Sequence, residues 1–121
     1  MKIFITGSSG FIGFHLSKKL LDKGHSIHGF DAMNNYYDVK IKKARYQILK
    51  KYKNFSFTKS KLENKKSLSK SILKFQPKII IHLAAQAGVR YSVEKPRVYL
   101  NSNIIGTYNI IELAKKINVK H

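Results

Sequence analysis

The chain has 121 residues, 43% of them apolar, and sets 24 lysines and arginines against 6 aspartates and glutamates, a net charge of +18. That length suits one domain with one small core. With no cysteine there are no disulfides and no thiolate metal sites, and no apolar run reaches the roughly 18 residues a membrane span needs.

The five histidines (His15, His25, His28, His82, His121) share no ligand spacing, so no metal site is expected. The basic charge is the footprint of a nucleic-acid binder. Its lysines, however, are spread over every predicted helix instead of forming one stripe, and only Arg45, Arg90 and Arg97 are arginines, the better readers of bases and phosphates. No specific nucleic-acid partner is expected; loose adhesion to polyanions in low salt is. The first residues already read as a core strand, so no leader and a cytoplasmic location are expected.

Lys2–Thr6 predicts a strand that stops at Gly7. Gly10 and Gly13 follow at three-residue steps, then Ile12, Leu16 and Leu20 at helical spacing, so Phe11–Lys23 reads as a helix closed by Gly24. Ser26–Phe30 is a second strand ending at Asp31, and Asn34-Asn35 mark a loop. Asp38 has the chemistry of an N-cap for a helix over 39–53, whose apolar stripe is Ile41, Ala44, Ile48 and Tyr52. Phe55–Thr58 is a third strand; Leu68, Ile72 and Phe75 mark a helix stopped by Pro77. Lys78–Ala84 is a fourth strand, with an Ile79-Ile80-Ile81 centre that suits cover on both faces. Gln86–Ser92 reads as a loop over the strand ends, and a last helix runs from Pro96 to about Ile117.

Strands alternating with helices call for an α/β Rossmann-type, doubly wound parallel sheet, here with about four strands. Such sheets bind ligands at the carboxyl ends of their strands, so Thr6–Gly10, Asp31–Asn34, Thr58–Leu62 and Ala84–Gly88 are expected to form one crevice. Gly7 lets the chain turn off the strand, Gly10 lets backbone approach a pyrophosphate, and Gly13 lets the helix pack on the strand. The N–H groups around Phe11 and Ile12, at the positive end of the helix dipole, then face the anion. Asp31 stands 18 residues past Gly13, where a carboxylate accepts bonds from both adenosine ribose hydroxyls and repels a 2′-phosphate. The expected cofactor is therefore NAD rather than NADP. Asn34 lies in the same loop. Leu83, Ala84 and Ala85 leave strand 4 with small side chains that let backbone pass a flat ligand. Arg90 can meet a phosphate or carboxylate. The last helix carries two apolar stripes: Tyr99, Asn103, Gly106, Ile110, Leu113, Ile117, and Leu100, Ile104, Thr107, Ile111, Ala114. One covers the sheet; the other is expected to build a homodimer through helix 96–117, or to be covered by further parts of the same polypeptide.

Thr6-Gly7-Ser8-Ser9-Gly10-Phe11-Ile12-Gly13, His82-Leu83-Ala84-Ala85 and Asn103-Ile104-Ile105-Gly106-Thr107-Tyr108-Asn109 resemble the extended short-chain dehydrogenase/reductases, the NAD-dependent epimerase/dehydratases of nucleotide sugars. Tyr36-Tyr37-Asp38 and Ala85-Gln86-Ala87-Gly88-Val89-Arg90-Tyr91-Ser92 resemble the UDP-glucuronate 4-epimerase subgroup. The resemblance implies hydride removal from C4 of a UDP-sugar, a 4-keto intermediate and hydride return to the other face. It also implies a tyrosine base with a lysine four residues on, and a serine or threonine ending strand 5. These catalytic groups and the substrate domain are expected beyond residue 121, making residues 1–121 the NAD-binding part and inactive alone. Tyr36/Lys40, Tyr46/Lys50 and Tyr91/Lys95 match the pair by spacing but precede any fifth strand, so none is assigned. A 4,6-dehydratase or decarboxylase of the same family shares this half; a noncatalytic nucleotide- or nucleic-acid-binding fragment is the alternative of another class. The family usually has an aspartate contacting adenine where Lys61 stands, and a lysine cannot accept that hydrogen bond. Ala32 stands where a polar residue is common.

Overall fold

The computed structural model describes all residues, 1–121. Four strands, β1 (Lys2–Thr6), β2 (Ser26–Asp31), β3 (Phe55–Lys59) and β4 (Ile79–His82), form one parallel sheet in the order β3-β2-β1-β4. The helices are α1 (Phe11–Asp22), α2 (Val39–Leu49), α3 (Lys65–Phe75), α4 (Val89–Glu94), α5 (Pro96–Tyr99) and α6 (Gly106–Lys116), with a π-helical stretch at Leu100–Ile105. This is the α/β doubly wound architecture expected from the alternation of elements. No helix is long and apolar enough to cross a membrane.

Alternation along β1 and β2 splits the core across the sheet. Ile3, Ile5 and Ile27 point to one face, where Phe14 and Leu21 of α1 and Leu49 of α2 close a cluster. Phe4 and Phe30 point to the other, against Leu68 and Ile72 of α3 and Ile110 and Leu113 of α6. Phe4, Leu68 and Ile72 are fully buried, and each such side chain contributes roughly 1.5–3 kcal/mol.

Several boundaries differ from the sequence reading. The second helix ends at Leu49 rather than near 53, and residues 50–54 turn into β3. Asn64 caps α3 by accepting the Ser67 N–H at 3.1 Å, a start signal the sequence reading left unused. The fourth strand ends at His82 rather than Ala84, because the next two N–H groups turn to the Thr6 hydroxyl. Val89–Glu94 is a short helix that begins inside the expected loop Gln86–Ser92 and runs two residues past it. The last helix is one rod from Pro96 to Lys116, loosened at Leu100–Ile105. Its first stripe faces the sheet, with Gly106, Ile110 and Leu113 buried, while Leu100, Ile104 and Ile111 stay exposed. At the other end of the sheet, Lys120 N–H donates to Lys78 O and Ile80 N–H to His121 O, so the chain's last residues lie along β4.

His28 sits inside this frame at 8% exposure. Its ring stacks on Phe4 with centroids 5.1 Å apart, and its nitrogens meet Ser56 Oγ at 2.7 Å and Thr58 Oγ1 at 2.9 Å. Burial, with a smaller push from Lys74, lowers its pKa from 6.5 to about 4. The unfolded chain therefore takes up a proton between those two values and the folded chain does not, so stability falls as pH drops through that window. The loss approaches roughly 3 kcal/mol at most. Burial lowers the His82 pKa too, with the same sign. Denaturant midpoints at pH 7 and pH 5 read this, and His28→Gln should flatten the slope; an unchanged slope would exclude His28 as its source.

Candidate functional site

The glycine turn between β1 and α1 is built almost wholly from backbone. Gly7 adopts φ +73°, and a Cβ there would lie 2.9 Å from Ala84 N. A Cβ on Gly13 would strike the Gly7 carbonyl, with its carbon at 2.7 Å. The turn is held by Gly7 N–H to Phe30 O at 2.7 Å and Gly10 N–H to Gly7 O at 3.0 Å. No side chain caps α1, so its first N–H groups and its dipole are open to an anion. The Ser8 and Ser9 hydroxyls are buried without a partner.

Asp31 ends β2 at 6% exposure. Its Oδ2 accepts the Ser9 N–H at 3.0 Å and its Oδ1 the Met33 N–H at 2.8 Å, tying the acid to the glycine turn. Lys42 Nζ stands 3.8 Å from Oδ1, and Arg45 donates to Ser9 O at 3.1 Å.

The turn after β4 is fixed by one hydroxyl. Thr6 Oγ1 accepts from Leu83 N at 3.0 Å and Ala84 N at 3.1 Å. Both lone pairs are then engaged, so its proton goes to His82 Nδ1, 2.7 Å away. His82 therefore carries its proton on Nε2, which donates to Thr107 Oγ1 at 3.0 Å. Burial lowers the pKa of the ring, which favours its neutral form. Asn103, in the π-helical stretch, accepts from Gln86 N at 2.8 Å and donates to Gln86 O at 3.0 Å.

These elements surround a cavity of about 640 Å³ at the carboxyl ends of the strands, a size typical of small-molecule and cofactor sites. Each of the four strand-end segments lends residues to it. Gly7, Gly10, Phe11, Asp31, Asn34, Leu83, Ala84 and Ala85 line it. Ile12 and Gly13 do not: Ile12 is exposed, and Gly13 lies under the turn. Arg90 is exposed on α4 and does not line the cavity, whereas its neighbour Tyr91 does. Lys61 and Ala32 line it as well. The sequence reading missed Lys42 and Arg45, which look like two more cations of a basic helix. Their signal was a three-residue spacing on the helix that follows Asp31.

A cradle of backbone with no room for side chains, an uncapped helix start and a carboxylate at the end of β2 together fit a dinucleotide. The GDP-mannose 4,6 dehydratase family model matches residues 4–121. A probable UDP-glucuronate 4-epimerase from Rhizobium meliloti is 48% identical over 121 residues, all of this chain and 36% of that protein. The UDP-glucuronate 4-epimerase of Thermodesulfobacterium geofontis is 43% identical over 116 residues, 96% of this chain and 36% of its own length. The structure of a point mutant of a Bacillus cereus UDP-glucuronic acid 4-epimerase, in complex with UDP-4-deoxy-4-fluoro-glucuronic acid and NAD, matches with a TM-score of 0.86 and 33% identity. That match covers 99% of this chain and 37% of the other. The chain thus spans about a third of the length of these relatives, and it belongs to the NAD-dependent epimerase/dehydratase family that the matching model represents.

Proposed function

We propose that this chain is the NAD-binding part of a nucleotide-sugar 4-epimerase acting on UDP-glucuronate. The observation that carries the reading is Asp31, bonded to the glycine turn through Ser9 N–H and opening on the same cavity as Ala84 and Ala85. In this role Gly7, Gly10 and the first N–H groups of α1 receive the pyrophosphate. Asp31 takes the adenosine ribose, and Leu83–Ala85, pinned by Thr6, give the flat backbone wall. When bound, NAD supplies reversible acceptance of a hydride from the sugar. Arg90, exposed beside the cavity-lining Tyr91, is assigned to anionic groups of the UDP-sugar.

The base, its lysine and the sugar-binding surface are assigned to sequence beyond this chain. The three internal Tyr-x-x-x-Lys spacings stand on other elements; Tyr46, for one, packs on Phe57 with centroids 4.8 Å apart. The exposed Leu100, Ile104 and Ile111 are assigned to a second copy. A 4,6-dehydratase is the second reading, favoured by the description of the matching family model.

Calorimetric titration of the chain with NAD tests the assignment, with UDP-glucuronate turnover and sedimentation measured on the same sample. Expected are one-to-one NAD binding that persists at salt levels that release polyanions, no turnover, and dimers at rising concentration. A folded chain that ignores NAD would defeat the cofactor reading. Turnover by the chain alone would defeat the placement of the base, and a strict monomer the role given to the exposed stripe.

A further inference from the structure

The wall of the cavity beside Asp31 is not what a site that rejects phosphate needs. Lys42 and Arg45 lie three residues apart on α2, so they share a face, and both line the cavity. Lys42 is held in place: its side chain is 12% exposed, its Nζ is 3.8 Å from Asp31 Oδ1, and it donates to Asn34 Oδ1 at 3.4 Å. Arg45 is held too, by its bond to Ser9 O at 3.1 Å and by the Phe11 ring, whose centroid lies 6.0 Å from the guanidinium carbon. Only one N–H of its fork is committed to Ser9 O. The nearby acid Asp38 is spent on the N-cap of α2, accepting Lys40 N–H at 2.8 Å. Glu63, the third acid of the lining, comes from the segment after β3.

We infer that Lys42 and Arg45 form a seat for a phosphate on the adenosine 2′-oxygen, and that Asp31 alone keeps it closed. The inference rests on the dinucleotide reading above and goes further, since it makes cofactor choice a balance between one carboxylate and two fixed cations. A 2′-phosphate carries close to two negative charges and needs two or more donors. The Asp31 carboxylate opposes the phosphate and draws on Lys42, 3.8 Å away. Once an amide replaces it, Lys42 is free and no new cation has to be introduced. Lys61, also on the cavity wall, adds to the same potential.

The test measures NAD binding directly and NADP by competition, at fixed ionic strength, for the unaltered chain, Asp31→Asn, Lys42→Ala and Arg45→Ala. Asp31→Asn keeps the shape and one acceptor oxygen. It should raise NADP affinity by about tenfold or more while NAD affinity falls. Lys42→Ala in the otherwise unaltered chain should weaken NADP by about fivefold or more relative to NAD, and Arg45→Ala should act in the same direction. If Asp31→Asn does not fold, as judged by circular dichroism, the two cation variants decide. Equal losses for NAD and NADP in both would mean these side chains only shape the pocket, and would overturn the inference. So would a folded Asp31→Asn chain with no gain for NADP. A folded, unaltered chain that binds neither nucleotide would instead overturn the dinucleotide reading itself.

Discussion

Replacing Gly13 with valine should abolish dinucleotide binding and destabilise the chain by about 3 kcal/mol or more. A Cβ at this position has no space, since the Gly7 carbonyl carbon would lie 2.7 Å away and Ser8 Cα 3.0 Å away. The obstacle is backbone on both counts, so no rotamer relieves it. Either α1 moves off β1 or the Gly7–Gly10 turn is pushed open. The first breaks the packing of Phe14 and Leu21 on Ile3 and Ile5. The second breaks the Gly10 N–H bond to Gly7 O and shifts Ser9, which carries the link to Asp31. Thermal melting and NAD titration of Gly13→Val and Gly13→Ala read the two effects. A valine variant with unchanged melting and unchanged affinity would show that α1 is not packed this closely.

The second large effect is expected from Thr6→Val, which keeps the shape and removes one oxygen. Thr6 is fully buried. Without its hydroxyl, the Ala84 N–H loses its acceptor, Leu83 N–H keeps only a longer bond to Thr6 O at 3.3 Å, and His82 Nδ1 loses its donor. Each buried polar group left unpaired costs about 1–3 kcal/mol, so a total near 2–4 kcal/mol is expected. Thr6→Ser, which keeps the oxygen, should retain most of it. The Leu83–Ala85 wall should also loosen, so NAD affinity should fall in Thr6→Val by more than stability loss alone produces at a temperature where both chains are folded. If valine and serine behave alike, the three-way bond is not what fixes this turn.

These two positions differ in how far the sequence discloses them. The glycine spacing, the strand before it and the helix after it mark the turn, and Asp31 follows at the end of the next strand. Both are local patterns: steric freedom at fixed steps along one chain, and hydrophobic periodicity of two or of 3.6 residues. Thr6 is different. Its partners lie 76 to 78 residues away, and nothing local separates a hydroxyl that pins a distant turn from one that merely ends a strand. The same holds for Asn103, whose grip on Gln86 spans 17 residues and sits in a π-helical stretch no periodicity announces. It holds for Lys42 and Arg45 too, two cations among 24 whose placement beside Asp31 depends on how α2 crosses the strand ends.

Alternating apolar segments, the glycine turn and the acid after strand 2 were thus enough to determine a parallel α/β sheet and the place of its crevice, because each depends on neighbours in sequence. Tertiary structure alone decided where β4 ends, which side chains hold the crevice in shape and which cations face Asp31. Those outcomes depend on side chains from different elements reaching hydrogen-bond distance, a condition set by packing and not by any interval along the chain.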